Sequence, residues 1–285
     1  MSYSQDIKNE LLNLDPKMKN CCCFSYLYGF QFNASETDEY LCVYSTNVKN
    51  QETFEFIASK AFPRKRDAFK IDKKYMYLQK SEIRYFTIAE IQKNIFKCPK
   101  CQENFLKGLF IACGTASNPE VSYRIDLNIG NEAKSFELVS FLQGLGLDAK
   151  TSKRNGKHFV YLKKSDDVGD FLALCGSNSA TFDILNCKIE KEIRNKANRQ
   201  TNCDSGNISK SIQASQKYLV VINKLIERGL IESLPENLKE IAILRLENPS
   251  LSFTELGKLL NPVISKSGVF HRLEKIVSFY EGLKL

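Results

Sequence analysis

Two stretches of this chain occur twice, in the same order. Leu27-Tyr28-Gly29-Phe30 is echoed by Leu106-Lys107-Gly108-Leu109, and each copy has a Cys five positions before it, Cys22 and Cys101. Tyr75-Met76-Tyr77-Leu78-Gln79-Lys80-Ser81 is echoed by Phe159-Val160-Tyr161-Leu162-Lys163-Lys164-Ser165. Anchors that keep their order and similar spacing mark a duplication, which restricts the fold to two like halves, each one supersecondary unit.

The two halves read alike in secondary structure. In the first, the pattern predicts a helix over 18–32, extended chain over 38–46, a helix over 48–61, strands over 67–72 and 75–80, and a short helix over 87–95. In the second, a helix spans 101–112, and Tyr123, Ile125, Leu127 and Ile129 alternate with Arg124, Asp126 and Asn128, the period of a half-buried strand. A helix over 132–146 stops at Gly144 or Gly146, C-cap residues. Strands over 148–153 and 157–163 flank Asn155-Gly156, a strong hairpin signal, and a last helix runs to Leu174.

With 285 residues and 43% hydrophobic content the chain buries one large or two modest cores. The N-terminus has no charged stretch followed by an apolar run, and apolar runs such as Phe105 to Gly114 are broken by Lys or too short for a bilayer, so a soluble, cytoplasmic chain without a membrane partner is expected. Ten cysteines are then expected to be reduced. The net charge of +8 favours a polyanionic partner without specifying one.

The order helix, two strands, helix, two strands, helix, met twice, resembles that of single-chain LAGLIDADG proteins. The motif falls on Leu27 to Ser35, LYGFQFNAS, and on Leu106 to Gly114, LKGLFIACG. The resemblance implies an α+β body, a duplicated αββαββα unit in which Gly29 and Gly108 let the motif helices approach at a pseudo-twofold axis. In that family an acid near the end of each motif helix binds the divalent metals of a nuclease. Here those positions are Ala34 and Cys113, and the motif's other acidic position is Phe32 or Ile111. Hard cations need oxygen ligands, so no catalytic residue and no enzyme activity is expected. Glu36, Asp38 and Glu120 lie past the helix ends.

Cys98-Pro99-Lys100-Cys101 supplies only two thiols, whereas a structural zinc site normally has four ligands. Cys21, Cys22 and Cys23 are able to complete it through the fold, but the favoured reading makes Cys22 and Cys101 small buried residues under the motif helices. No metal and no cofactor are expected. The basic stretch Lys60 to Lys80 reads either as a solvated strand edge or as a phosphate-contacting face, the edge being favoured.

After Leu234-Pro235 the chain turns to short punctuated helices. The first spans 236–246, Ser252-Phe253-Thr254-Glu255 is a capping box opening a second over 253–260, and a third begins at Ser265 or Ser267 and runs to Gly282. Val269, Leu273, Ile276, Val277 and Tyr280 form its apolar stripe, which turns Ser267, Gly268, His271, Arg272 and Lys275 outward. This pattern fits either a helix-turn-helix or an ordinary three-helix bundle.

The run Ile264 to Leu273 and the upstream segment Arg194-Asn195-Lys196-Ala197-Asn198-Arg199-Gln200-Thr201-Asn202-Cys203 resemble the corresponding segments of the WhiA family of bacterial DNA-binding regulators. That resemblance covers the whole chain and implies a C-terminal all-α, sigma-factor-like helix-turn-helix. The divisions expected are 1–96 and 97–178 for the two LAGLIDADG-like halves, 179–232 for a helical linker and 233–285 for the helix-turn-helix. The implied DNA-binding residues are Ser265, Lys266, Ser267, Gly268, His271, Arg272 and Lys275, with Arg194, Asn195, Asn198, Arg199 and Asn202. Phe270 and Glu274 depart from the family's more polar or basic pattern, and Glu274 is expected to weaken phosphate attraction.

The resemblance thus implies a non-enzymatic, sequence-specific transcription regulator, nucleoid-associated and tied to cell division and chromosome segregation. Its partner is double-stranded DNA, and the chain acts as a monomer with an internal pseudo-twofold. The alternatives are a module contacting RNA polymerase or a sigma factor and, less favoured, a metal-dependent DNA endonuclease.

Overall fold

The structure, a computed structural model, describes residues 2–283 apart from the side chains at 66, 211 and 214. It divides into two compact units, Met1–Lys191 and Glu192–Leu285.

The first unit opens on a helix that the periodicity did not reveal, α1 (Tyr3–Leu11), which buries Ile7 and Leu11. Too short to be stable alone, it is held by tertiary contacts: the Ser4 hydroxyl donates to Ala116 O at 2.8 Å and accepts from Ala116 N at 2.6 Å. The first half then runs α2 (Asn20–Gln31), β1 (Ser35–Glu36), β2 (Tyr40–Tyr44), α3 (Val48–Ala61), β3 (Phe69–Asp72), β4 (Tyr75–Gln79) and α4 (Ile88–Asn94). The second runs α5 (Lys100–Cys113), β5 (Gly114–Ala116), β6 (Ile125–Ile129), α6 (Glu132–Gly144), β7 (Lys150–Arg154), β8 (Lys157–Leu162) and α7 (Ser165–Leu174).

Each half forms a four-stranded antiparallel sheet of the same topology, β1-β2-β4-β3 and β5-β6-β8-β7. The alternation in β6 is realised as read, with Ile125, Leu127 and Ile129 buried and Asp126 and Asn128 half-exposed. Asn155 and Gly156 take φ of 49° and 75° between β7 and β8, the left-handed pair that a two-residue hairpin requires. In β1 and β5 the strand follows its helix almost without a loop, so these short elements are hidden in the helical apolar pattern.

The motif helices α2 and α5 pack on each other along the middle of this unit, and both are buried on nearly all sides. α2 is apolar nearly all round, whereas α5 carries Lys100, Gln102, Glu103, Asn104 and Lys107 in its first two turns. At their N-terminal ends the thiols of Cys21, Cys22, Cys98 and Cys101 converge.

The next helix, α8 (Asn178–Glu227), is a single 50-residue element. Glu10 receives the Ser177 hydroxyl and, at 3.0 Å, the Ser179 amide, placing a carboxylate on the positive end of α8. The helix remains α-helical through Asn195 to Asp204, so these asparagines do not form a turn. Ala180 and Ile184 belong to the core of the first unit, and Tyr218, Ile222 and Leu225 to that of the second.

The second unit adds α9 (Glu236–Glu247), α10 (Phe253–Lys258) and α11 (Lys266–Gly282). Leu238, Ile241, Leu256, Val269, Leu273, Ile276 and Tyr280 complete its core. Among the described residues no helix is long and apolar enough to cross a membrane.

Candidate nucleic-acid interface

The capping box before α10 forms in full: Glu255 N donates to Ser252 Oγ at 3.3 Å and Ser252 N to Glu255 Oε2 at 2.9 Å. Both carboxylate bonds hold Glu255 ionised, its carboxyl lying below the usual range because the Ser252 hydroxyl and amide donate to it. The turn into α11 is tight. A Cβ on Gly257 would stand 2.4 Å from Ile264 O, and Ile264 N donates to Gly257 O at 3.1 Å. Ser265 then caps α11, accepting from Gly268 N at 3.2 Å and meeting Ser267 Oγ at 2.9 Å.

A sequence reading missed what holds the connection between α9 and α10. Arg245 is fully buried, and its Nη1 donates to the carbonyls of Asn248, Pro249 and Leu251 at 3.2, 3.4 and 2.8 Å while the guanidinium lies 5.3 Å from the Phe253 ring centre. Burial lowers its pKa from the ordinary arginine value. The signal was an Arg on the apolar side of α9, beside Ile241 and Ala242.

On α11, Ser265, Lys266, Ser267, His271 and Lys275 are exposed, and Arg272 is half-buried with Nη1 3.4 Å from Asn237 O. Gly268 is also half-buried, against Ile264 and not turned to solvent, because it lies over the tight turn. Packing resolves the departure at Glu274. Glu274 pairs with Lys217 and accepts from Tyr218 Oη at 2.6 Å, so its charge is spent on α8 and not on an approaching phosphate. Phe270 lies against Phe253 and the His271 ring.

Arg194, Asn195, Asn198, Arg199 and Asn202 are all exposed on α8. At about 100° per residue they fall within an arc of about 140°, one face of the helix. None of the five side chains hydrogen-bonds to a described residue, whereas that of Gln200 beside them engages Asp204 at 3.1 Å. From Asn202 to Lys217, where α8 meets α11, the helix rises about 22 Å. The two groups of expected DNA-binding residues are therefore two separate surfaces of the second unit.

Among the described residues, no acidic cluster stands at the C-terminal ends of the motif helices. Phe32 and Ile111 are buried, Cys113 donates its thiol to Leu109 O at 3.2 Å, and Glu36 pairs with Lys80 at 3.3 Å. A lysine stands at each end instead. Lys134 Nζ donates to Phe32 O at 3.2 Å beside Ala34, and the Lys8 ammonium interacts with Cys113, whose thiol burial pushes up to about 12. Ammonium groups suit helix C-termini and oppose a divalent cation in the same place. The basic stretch Lys60 to Lys80 is partly committed internally, with Lys70 Nζ 4.1 Å from the Tyr40 ring centre and Lys65 paired to Glu82 at 2.7 Å.

Comparison with known proteins bears on both units. Residues 102–194 match the family model for the WhiA LAGLIDADG-like domain, and residues 197–280 match that for the WhiA C-terminal HTH domain. A protein of Clostridium botulinum named "Probable cell division protein WhiA" is 36% identical over 207 residues, 72% of this chain and 65% of the relative, so the chain spans somewhat less than two thirds of that relative's length. A protein of the same name from Caldicellulosiruptor saccharolyticus is 34% identical over 223 residues, 78% of this chain and 68% of the relative. The crystal structure of full-length DUF199/WhiA from Thermatoga maritima superposes with a TM-score of 0.61, covering 99% of this chain and 98% of that one at 22% identity, a likeness of fold.

Proposed function

The chain belongs to the WhiA family, and on that premise we propose that it is a sequence-specific DNA-binding regulator of transcription that performs no chemistry on the DNA. One observation carries this reading: α11 offers Lys266, His271, Arg272 and Lys275 at and just beyond a serine-capped N-terminus, on the side away from its apolar stripe. Polar and basic residues so placed are those that a helix-turn-helix sets against base edges and phosphates. The exposed row on α8 supplies a second, phosphate-directed contact. Lysines in place of acids at the motif-helix ends support the non-enzymatic role.

The relatives' name, probable cell division protein, supports a role for the regulator in cell division, and we extend this to chromosome segregation. It acts in the cytoplasm on the nucleoid, as a monomer whose twofold is internal. Chromatin capture with the tagged chain should enrich a recurrent DNA sequence near genes of that class. Failure to enrich any sequence sinks this reading in favour of a protein-interaction module contacting RNA polymerase or a sigma factor. That alternative draws on the exposed apolar row Phe182, Leu185 and Ile189 of α8.

A further inference from the structure

We propose that Cys21, Cys22, Cys98 and Cys101 hold one structural zinc ion that joins the N-terminal ends of the two motif helices. The four sulfurs lie within 4.8 Å of one another. A tetrahedral Zn–S distance of about 2.3 Å separates neighbouring sulfurs by about 3.8 Å. Cys98 Sγ stands 3.4 Å from Cys22, 3.6 Å from Cys101 and 3.8 Å from Cys21, close to that edge. A disulfide needs about 2.05 Å, and all four cysteines are free.

Simple packing does not require this convergence. Cys23 and Cys175 are buried apart from these four and serve as small apolar residues. In the cluster, two thiols are buried and two are half-exposed, which gives an ion a route in. Read along the chain, Cys98-Pro99-Lys100-Cys101 is two ligands short, and the pairing of α2 with α5 supplies the other two.

The surroundings balance the charge. Zinc with four thiolates carries −2, the thiol protons leaving to solvent on binding. Cys21, Cys22 and Cys101 sit in the first turns of α2 and α5, with Cys98 just before the N-cap of α5, and the amide ends of both helices are positive. A hollow of about 410 Å³ beside Cys22 and Cys98 is lined by Lys17, Lys19, Lys100 and Lys107 against only Asp15 and Glu103. Because the site exists only once both halves have met, the ion stabilises the folded body alone.

The full chain, purified in reducing buffer and washed with a weak chelator, should contain close to one zinc per chain by elemental mass spectrometry. Cys98→Ser with Cys101→Ser should leave less than a tenth of that, while Cys203→Ser, at an exposed position far along α8, keeps it all. Should the double variant fail to fold, the wild-type chain still decides. A thiol-specific mercurial should release its zinc to a colorimetric dye as four thiols react, and stripped chain given Co²⁺ should show the intense visible bands of tetrahedral thiolate cobalt. Stripping should lower the melting temperature by roughly 10 °C. Folded wild-type chain with under a tenth of a zinc per molecule and no cobalt bands, or a folded double variant that keeps its zinc, overturns the assignment.

Discussion

The Cβ position of Gly29 lies 1.9 Å from the carbonyl oxygen of Phe105, and that of Gly108 lies 2.2 Å from the carbonyl oxygen of Tyr26. Each glycine thus meets the residue three before the other, the reciprocal contact of a twofold axis between α2 and α5. The obstructing atoms are backbone, which cannot move aside as a flexible side chain would.

Either glycine changed to alanine should therefore cost more than about 3 kcal/mol, above the usual range for added core methyl groups. Gly144→Ala is the control: nothing lies within 4 Å of its Cβ position and it sits in the last turn of α6, so stability should hold or rise. Denaturant unfolding of the three variants checks this, and equal midpoints for Gly29→Ala and wild type would refute the close approach.

DNA should remain uncut in Mg²⁺ or Mn²⁺, since lysines and not carboxylates approach the ends of the motif helices. Supercoiled plasmid carrying a bound site gives the readout. Metal-dependent nicking that disappears with Glu36→Gln or Glu120→Gln would reverse this conclusion.

Arg272→Ala should weaken specific binding by about 1 to 3 kcal/mol if the guanidinium reads a base, roughly 5- to 150-fold. The fold should be little affected, since the one side-chain hydrogen bond that Arg272 makes to a described residue is 3.4 Å long. Lys266→Ala and Lys275→Ala should each flatten the salt dependence of binding by about one phosphate contact. Titrations at several salt concentrations separate the two effects, and three variants with wild-type affinity would remove α11 from the interface.

The double variant Asn198→Ala, Arg199→Ala should melt at or above the wild-type temperature. Both side chains are exposed without hydrogen bonds to described residues, and alanine is the better helix former. Its DNA affinity should nevertheless fall. A lowered melting temperature with unchanged affinity would assign the row to holding structure.

The Glu274 pairing sets a pH dependence. Hydrogen bonds from Lys217 and then Tyr218 hold its carboxyl below the usual range, so its contribution is present in full above the unfolded value of about 4.3 and is lost as pH falls through the lowered folded value. Glu274→Gln should melt a few degrees below wild type at pH 7, and the two curves should converge as the solution is acidified below about pH 4. Parallel curves down to pH 3 would show that the charge contributes nothing to stability.

Sequence alone fixed whatever depends on local pattern. The duplication, the αββαββα order, the Asn155-Gly156 hairpin, the capping box at Ser252 and the apolar stripe of α11 are all written in residues a few positions apart, and the missing motif acids are visible in Ala34 and Cys113. Tertiary structure decided what depends on which distant residues meet. It gave α1 its place through Ser4 and Ala116, turned Glu274 from a charge facing phosphate into the partner of Lys217, and buried Arg245 among the carbonyls beyond α9. It also carried α8 unbroken through Asn195, Asn198, Asn202 and Asn207, against their local preference for caps and turns. Most of all it brought Cys21 and Cys22 to Cys98 and Cys101. Metal-ligand geometry is a property of distances between chain segments, and those distances exist only after the motif helices have packed.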